Sequence, residues 1–171
     1  MIIKLIRPAI EHKKEALEFR EEFFGASEKV INGGELLDQT EIYEEWLSSV
    51  KLNANPDTVS PEWVLTDTFF AVDEAGKIIG IIDFRHELKG FLVDFGHCGY
   101  SVRPSERRKG YATKMLALVI EVARTAKLSS LQLSVERSNT PSIRTITKNG
   151  GVLERSFDFE GETADVYRIG L

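Results

Sequence analysis

At 171 residues, with a net charge of −5 and a single cysteine, the chain has the length of one domain with a sizeable core and forms no internal disulfide. Its 42% apolar and 29% charged residues are those of a water-soluble globular protein. No run of eighteen apolar residues offers a membrane span. The opening Met1–Pro8 stretch is too short and too charged for a secretory leader. A single domain over residues 1–171, cytoplasmic and free of membrane, is therefore expected.

Ile2 to Ile6 alternates weakly and reads as a first strand, ended by Pro8. From Ala9 the pattern turns helical, with Ile10, Ala16, Leu17, Phe19, Phe23 and Phe24, and Gly25 is a stop. Gly33-Gly34 breaks any continuous helix through residues 27–37. Asp38 or Thr40 can cap a second helix carrying Tyr43, Trp46, Leu47 and Val50. Residues 53–61 read as a surface loop, and Trp63 near its end is either a core anchor or a pocket wall.

Thr68 to Val72 and Lys77 to Phe84 form a hairpin around Asp73-Glu74-Ala75-Gly76. Residues 88–93 are a loop or a short lead-in, and Gly96 to Val102 is the next strand. Pro104 ends it. A helix follows to about Lys127, with Ala112, Met115, Leu116, Val119, Ile120 and Ala123 at helical spacing. Leu131 to Val135 is a strand. Asn139 or Thr140 caps a helix with Pro141 in its first turn, stopped at Asn149-Gly150-Gly151. Residues 152–159 and 163–169 close the chain as a hairpin. The pattern is an α/β (α+β) fold with a mixed sheet flanked by helices.

Charge is uneven along the chain. The first 66 residues are predominantly acidic, whereas residues 103–127 are basic, with only Glu106 and Glu121 opposing. A basic island in an acidic protein suits a small anionic ligand and does not suit nucleic acid, which needs a broader basic face. The island sits between a strand and a helix. There the first helical N–H groups have no internal partner and the helix dipole is positive. Such a junction holds phosphate, and Gly110 and Ala112 leave room for backbone to approach it. The spacing is neither Gly-x-x-x-x-Gly-Lys-Ser/Thr nor Gly-x-Gly-x-x-Gly. His12, His86, His97 and Cys98 lack metal-ligand spacing, so no metal is expected.

Arg107-Arg108-Lys109-Gly110-Tyr111-Ala112 resembles motif A of the GNAT superfamily of acyl-CoA-dependent N-acetyltransferases, Arg/Gln-x-x-Gly-x-Gly/Ala. Asn139 to Gly151 resembles the family's motif B, and the order of elements matches across nearly the whole chain. The resemblance implies a mostly antiparallel sheet of six to seven strands flanked by about four helices. It implies acetyl-CoA as co-substrate, with the backbone of Tyr100 and Val102 pairing with the pantetheine arm. Arg107, Arg108, Lys109, Gly110, Tyr111, Ala112 and Thr113 would wrap the pyrophosphate. Asn139 would contact the pantetheine arm, and Ser142 the region near the thiol. Each has a plainer reading: Asn139 as a helix cap, Ser142 as a first-turn residue.

The implied reaction is direct attack of a neutral amine on the thioester, with a base removing a proton and a backbone N–H of the motif A strand facing the oxyanion. His97 and Asp94 are the local candidates for the base. His97 reads equally as a satisfied strand histidine, and Asp94 as a turn residue; Asp83, Glu87 and Glu136 are further options. Many members carry a Tyr seven residues after the motif B Asn; here Ile146 stands there. The acid is then elsewhere, is water, or is not needed. Cys98 is read as a small strand residue. The implied acceptor is a primary amine of a small molecule or peptide, approached from the side of residues 23–63, where Glu41, Glu44 and Glu45 favour a cation. A homodimer is compatible with the resemblance. The alternatives are a catalytically weak acyl-CoA sensor of the same fold, or an unrelated module binding another phosphorylated ligand.

Overall fold

The computed structural model describes all 171 residues. Strand β1 (Lys4–Ile6) leads through a 3-10 turn into α1 (Lys13–Gly25). Helix α2 (Tyr43–Asn53) precedes the hairpin β2 (Thr66–Val72) and β3 (Ile78–Arg85). A short helix α3 (Leu92–Phe95) leads to β4 (Tyr100–Val102) and α4 (Tyr111–Thr125). Strand β5 (Ser130–Glu136), α5 (Thr140–Lys148), β6 (Val152–Phe159) and β7 (Glu162–Gly170) complete the chain. The strands form two antiparallel sheets, β1-β2-β3-β4 and β5-β7-β6. No helix is long and apolar enough to cross a membrane.

Both faces of the central hairpin are covered, which explains its near-continuous apolar run. Phe70, Val72, Ile78 and Ile81 pack with Phe19, Phe23, Tyr43 and Trp46 of α1 and α2. Phe69, Ala71, Ile82 and Phe84 pack with Met115, Leu116 and Val119 of α4. A register slip at Ala71/Val72 leaves Ile79 as the extra residue of β3, so it shares the α4 face with Gly80 while Ile78 and Ile81 face α1 and α2. Gly80 lets α4 lie close to β3: a Cβ there would stand 2.7 Å from the end of the Met115 side chain.

Residues 26–42 cross the α1/α2 face as a turn-rich segment. Buried Trp46 anchors it, donating from Nε1 to the Gly34 carbonyl at 2.9 Å. Neither Asp38 nor Thr40 caps α2. The residue before it is Ile42, with no side-chain bond. The Thr40 hydroxyl is instead spent within the segment, on the Leu36 carbonyl at 2.9 Å. Gly33 is pressed onto the start of β4; a Cβ there would meet the Gly99 carbonyl oxygen at 2.1 Å.

The strand expected over residues 96–102 is regular for only three of them. Its beginning stays bonded to β3, with Asp83 N–H donating to Gly99 O and Arg85 N–H to His97 O, but the Gly99 N–H goes to the Asp83 side chain instead of the β3 backbone, and the same residues also reach the second sheet. The two sheets meet at an isolated Gly96–Leu133 bridge and at His97, whose N–H donates to the Gln132 carbonyl at 2.7 Å. Beyond that point β4 and β5 share no pairing, so the sheet opens like a V.

Candidate functional site

The opening is a cleft of about 1430 Å³ whose walls include Gly99 to Val102, Leu133 to Glu136, and the starts of α4 and α5. Backbone pairing decides what faces into it. Asp83 N–H donates to Gly99 O, and Arg103 N–H donates to Ile79 O. By the two-residue alternation of an antiparallel pair, the backbone groups of Tyr100 and Val102 turn away from β3, toward the cleft. The Val102 carbonyl already accepts from Arg107 Nε at 3.1 Å.

At one end, α4 begins with Gly110 in the left-handed region (φ 86°), preceded by Arg108 at φ 63°. The first helical bond runs from Lys114 N–H to Gly110 O. None of the N–H groups from Arg108 through Thr113 donates to another group of the chain. Six consecutive free donors at a helix N-terminus make an anion-binding nest.

The basic side chains divide. Arg107 is taken by Glu28 through two bonds of 2.5 and 2.8 Å and stacks over Phe23. Lys109 pairs with Glu106 at 2.8 Å and does not line the cleft. Buried Arg103 bonds Ile78 O and pairs with Glu15 and Glu22. Glu15 and Glu22 of α1 and Glu28 just beyond it thus clamp the β4–α4 connection to the first helix. Arg108, Arg144 and Lys148 line the cleft without an ion pair, so α5 supplies two cations that the motif A reading did not include.

Asn139 and Ser142 both line the cleft. The Asn139 side chain also caps α5, accepting from Ser142 N–H at 3.2 Å. Across the cleft, the Tyr100 hydroxyl lies 2.6 Å from Ser142 Oγ. Burial pushes its pKa up to about 12, with a smaller push from Cys98, so the phenol keeps its proton. Ile146, at the position where the motif B resemblance implies a Tyr, is buried in the core; the tyrosine hydroxyl that reaches α5 is that of Tyr100 on β4.

Neither His97 nor Asp94 lines the cleft. His97 sits at the apex of the V, buried, and its Nδ1 accepts from Gln132 N–H at 2.9 Å. Burial, with Arg168 and Arg85 nearby, lowers its pKa to about 4. Asp94, in α3, pairs with Arg155 at 2.7 Å. Burial pushes the Cys98 thiol well up, so it is inert. Trp63 lines a separate small cleft with Phe91. The far wall of the main cleft is instead aromatic: Phe95 packs edge-on against Phe157 and Phe159, beside Glu160 and Glu162.

The acetyltransferase (GNAT) domain family model matches residues 5–152. The chain belongs to the GNAT acetyltransferase family. No curated protein matches the sequence. Among solved structures, RimJ of Mycobacterium smegmatis, in complex with CoA-disulfide, is similar at 17% identity with a TM-score of 0.73, over 98% of this chain and 81% of that one. A GNAT-family acetyltransferase from Streptococcus pneumoniae is similar at 19% identity and 0.70, over 99% and 100%. The microcin C7 self-immunity acetyltransferase MccE, in complex with acetyl-CoA and AMP, is similar at 16% identity and 0.71, over 99% and 92%. These likenesses extend the GNAT fold over the whole chain, hairpin β6–β7 included.

Proposed function

We propose that the protein is an N-acetyltransferase that moves an acetyl group directly from acetyl-CoA to a primary amine of a small molecule or peptide. The observation that carries this is the row of six free amides from Arg108 to Thr113, opening onto an unpaired β4 edge in one continuous cleft. A long ligand with a pyrophosphate at one end and a hydrogen-bonding arm fits that layout. The amides and Arg108 would hold the pyrophosphate, and Arg144 and Lys148 would add charge from the opposite wall. The backbone of Tyr100 and Val102 would receive the arm as an added strand.

Acetyl-CoA supplies the activated acyl group, and the chain's residues place it. The Tyr100 N–H points where an oxyanion needs a donor. The Tyr100 hydroxyl, with Ser142, serves the departing sulfur. A phenol titrating near 12 does not give its proton outright to a thiolate of ordinary basicity, so it stabilises that charge by a hydrogen bond. On the acceptor side, Phe95, Phe157 and Phe159 with Glu160 and Glu162 suit an amine whose cationic group adjoins an apolar or aromatic one.

Thermal shift with acetyl-CoA, CoA, ATP and NAD in parallel, on wild type and Gly110→Asp, tests the reading. A would-be Cβ at Gly110 meets only the end of the Met1 side chain, at 3.9 Å, and aspartate tolerates its left-handed backbone better than most residues. The variant therefore folds but sets a carboxylate among the amides. Acetyl-CoA and CoA raise the wild-type melting temperature and leave the variant's unchanged. A response to ATP alone would refute the reading. CoA binding without CoA release across an amine panel would leave the sensor role instead.

A further inference from the structure

The aromatic wall continues beyond the main cleft. Phe95 meets Phe159 at 5.0 Å between ring centroids on one side and Phe91 at 5.8 Å on the other, and Phe91 meets Trp63 at 6.0 Å. The row runs unbroken from the main cleft, lined by Phe95 and Phe159, to a second cleft of about 340 Å³ lined by Trp63 and Phe91. Phe91 is 62% exposed and Phe159 46%. A contiguous apolar strip open to water marks a surface that meets another molecule.

Several side chains hold this row in place. Helix α3 has four residues, too few to be stable alone. Gln132 Nε2 donates to Val93 O at 2.6 Å, Arg155 donates to Val93 O at 2.9 Å and to Asp94 at 2.7 Å, and Ser134 Oγ donates to Phe95 O at 3.0 Å. These bonds fix α3 on the second sheet, and the four-residue spacing of Phe91 and Phe95 brings their rings together. Lys89 Nζ donates to Pro61 O at 2.7 Å and Trp63 Nε1 to Thr66 Oγ1 at 3.1 Å, which ties the walls of the small cleft to each other. The rim is acidic. Glu160 and Glu162 line the main cleft and Glu62 the small one, and none of the three is in an ion pair. The cation between them is Lys89, because Arg155 is matched by Asp94 and Arg85 by Asp83.

We propose that the acceptor is the amino terminus of a polypeptide whose first residues alternate apolar and cationic side chains, laid along this row from the main cleft to the Trp63 cleft. The proposal rests on the acetyltransferase reading and narrows its acceptor. Alternate side chains of an extended chain fall on one side about 7 Å apart, close to the ring steps of 5.0 to 6.0 Å. The first apolar side chain then rests on Phe159 and Phe95, the second on Phe91, and the third in the Trp63 cleft. Cationic residues between them answer the acidic rim. In the transfer, the neutral terminal nitrogen bonds the acetyl carbon as the C–S bond breaks. The sulfur keeps that electron pair and takes up one proton from the nitrogen, so the products are an N-acetyl peptide and CoA.

Two other occupants account for less of the surface. A small amine sits in the main cleft without reaching Phe91 or Trp63, and leaves the row beyond Phe95 uncovered. A second copy of the chain, pairing the same patch by a two-fold axis, would set its acidic rim against this one, at a net charge of −5 on each.

The test measures CoA release from acetyl-CoA by wild type and Phe91→Ala. Phe91 is exposed and lies outside the main cleft, so the variant folds, which its melting temperature verifies. Each probe carries a single amine: 2-phenylethylamine, Phe-Arg amide, Phe-Arg-Leu-Arg-Leu-Gly amide, and the same hexapeptide with Glu in place of Arg. Wild-type kcat/KM is expected to be about thirtyfold higher for the cationic hexapeptide than for the dipeptide, from the burial of its two leucines. Phe91→Ala is expected to lose about tenfold of that hexapeptide's kcat/KM, through KM, with phenylethylamine and the dipeptide changed less than about twofold. The glutamate hexapeptide is expected to fall about tenfold or more below the cationic one. A cationic hexapeptide no better than the dipeptide, equal losses with every probe, or hexapeptides of equal rate would overturn the proposal. So would a concentration-dependent dimer in sedimentation that Phe91→Ala abolishes, since a second copy would then cover the row. A protein that binds acetyl-CoA but releases CoA to no probe would overturn the transfer reading itself, and the proposal with it.

Discussion

His97→Ala is the sharpest probe of how the cleft is held open. In the wild type the ring and backbone of His97 together replace two strand hydrogen bonds at the apex of the V. Removing the ring leaves the Gln132 N–H buried without an acceptor, which costs about 1–3 kcal/mol. The contribution also has a sign in pH. Nδ1 accepts only while the ring is neutral, and burial lowers the folded pKa from 6.5 to about 4. Between those values the unfolded chain binds the extra proton, so the contribution is complete above pH 6.5 and is lost as pH falls toward 4. At pH 5 the loss is ~2 kcal/mol. Urea denaturation of wild type and variant at pH 7.5 and pH 5 isolates this ring from the titrating carboxylates common to both. The stability gap between the two proteins should narrow by ~2 kcal/mol at the lower pH. A gap that stays constant, or a His97 ring resonance that titrates near 6.5, would refute the reasoning.

Gly33→Ala places a Cβ 2.1 Å from the Gly99 carbonyl oxygen at a backbone of φ 73°. It should destabilise by about 2–4 kcal/mol, seen as a fall in the calorimetric melting temperature, and should displace Gly99 enough to cripple turnover. Tyr100→Phe removes the hydroxyl that faces Ser142 but leaves the ring in place. It should lower kcat for CoA release by about tenfold to a hundredfold, the worth of one hydrogen bond to a charged group, with KM for acetyl-CoA nearly unchanged. An unchanged kcat would remove Tyr100 from the chemistry.

Most of the architecture is legible in the sequence because it is set by local signals. Pro104 ends β4, Asn139 caps α5, and the alternating runs around residues 73–76 and 160–161 make hairpins. The pyrophosphate loop is legible for the same reason, since its donors are backbone and its glycine sits at a fixed spacing. Long-range pairing is what the sequence hides. Arg107 and Lys109 look like free cations until Glu28 and Glu106 are seen beside them. His97 looks like a base until its Nδ1 is found on Gln132. The Gly33–Gly99 contact joins residues 66 positions apart, from a segment whose one local sign was Gly33-Gly34. Trp63, open between anchor and wall, turns out to line a cleft of its own.

The most direct test of the central claim is a backbone amide NMR titration of the wild-type protein with CoA. The account predicts the largest changes at the N–H groups of Arg108 through Thr113, followed by Tyr100 and Val102, with the β6 edge unaffected. CoA that leaves those amides unmoved, or that perturbs another surface, would contradict it.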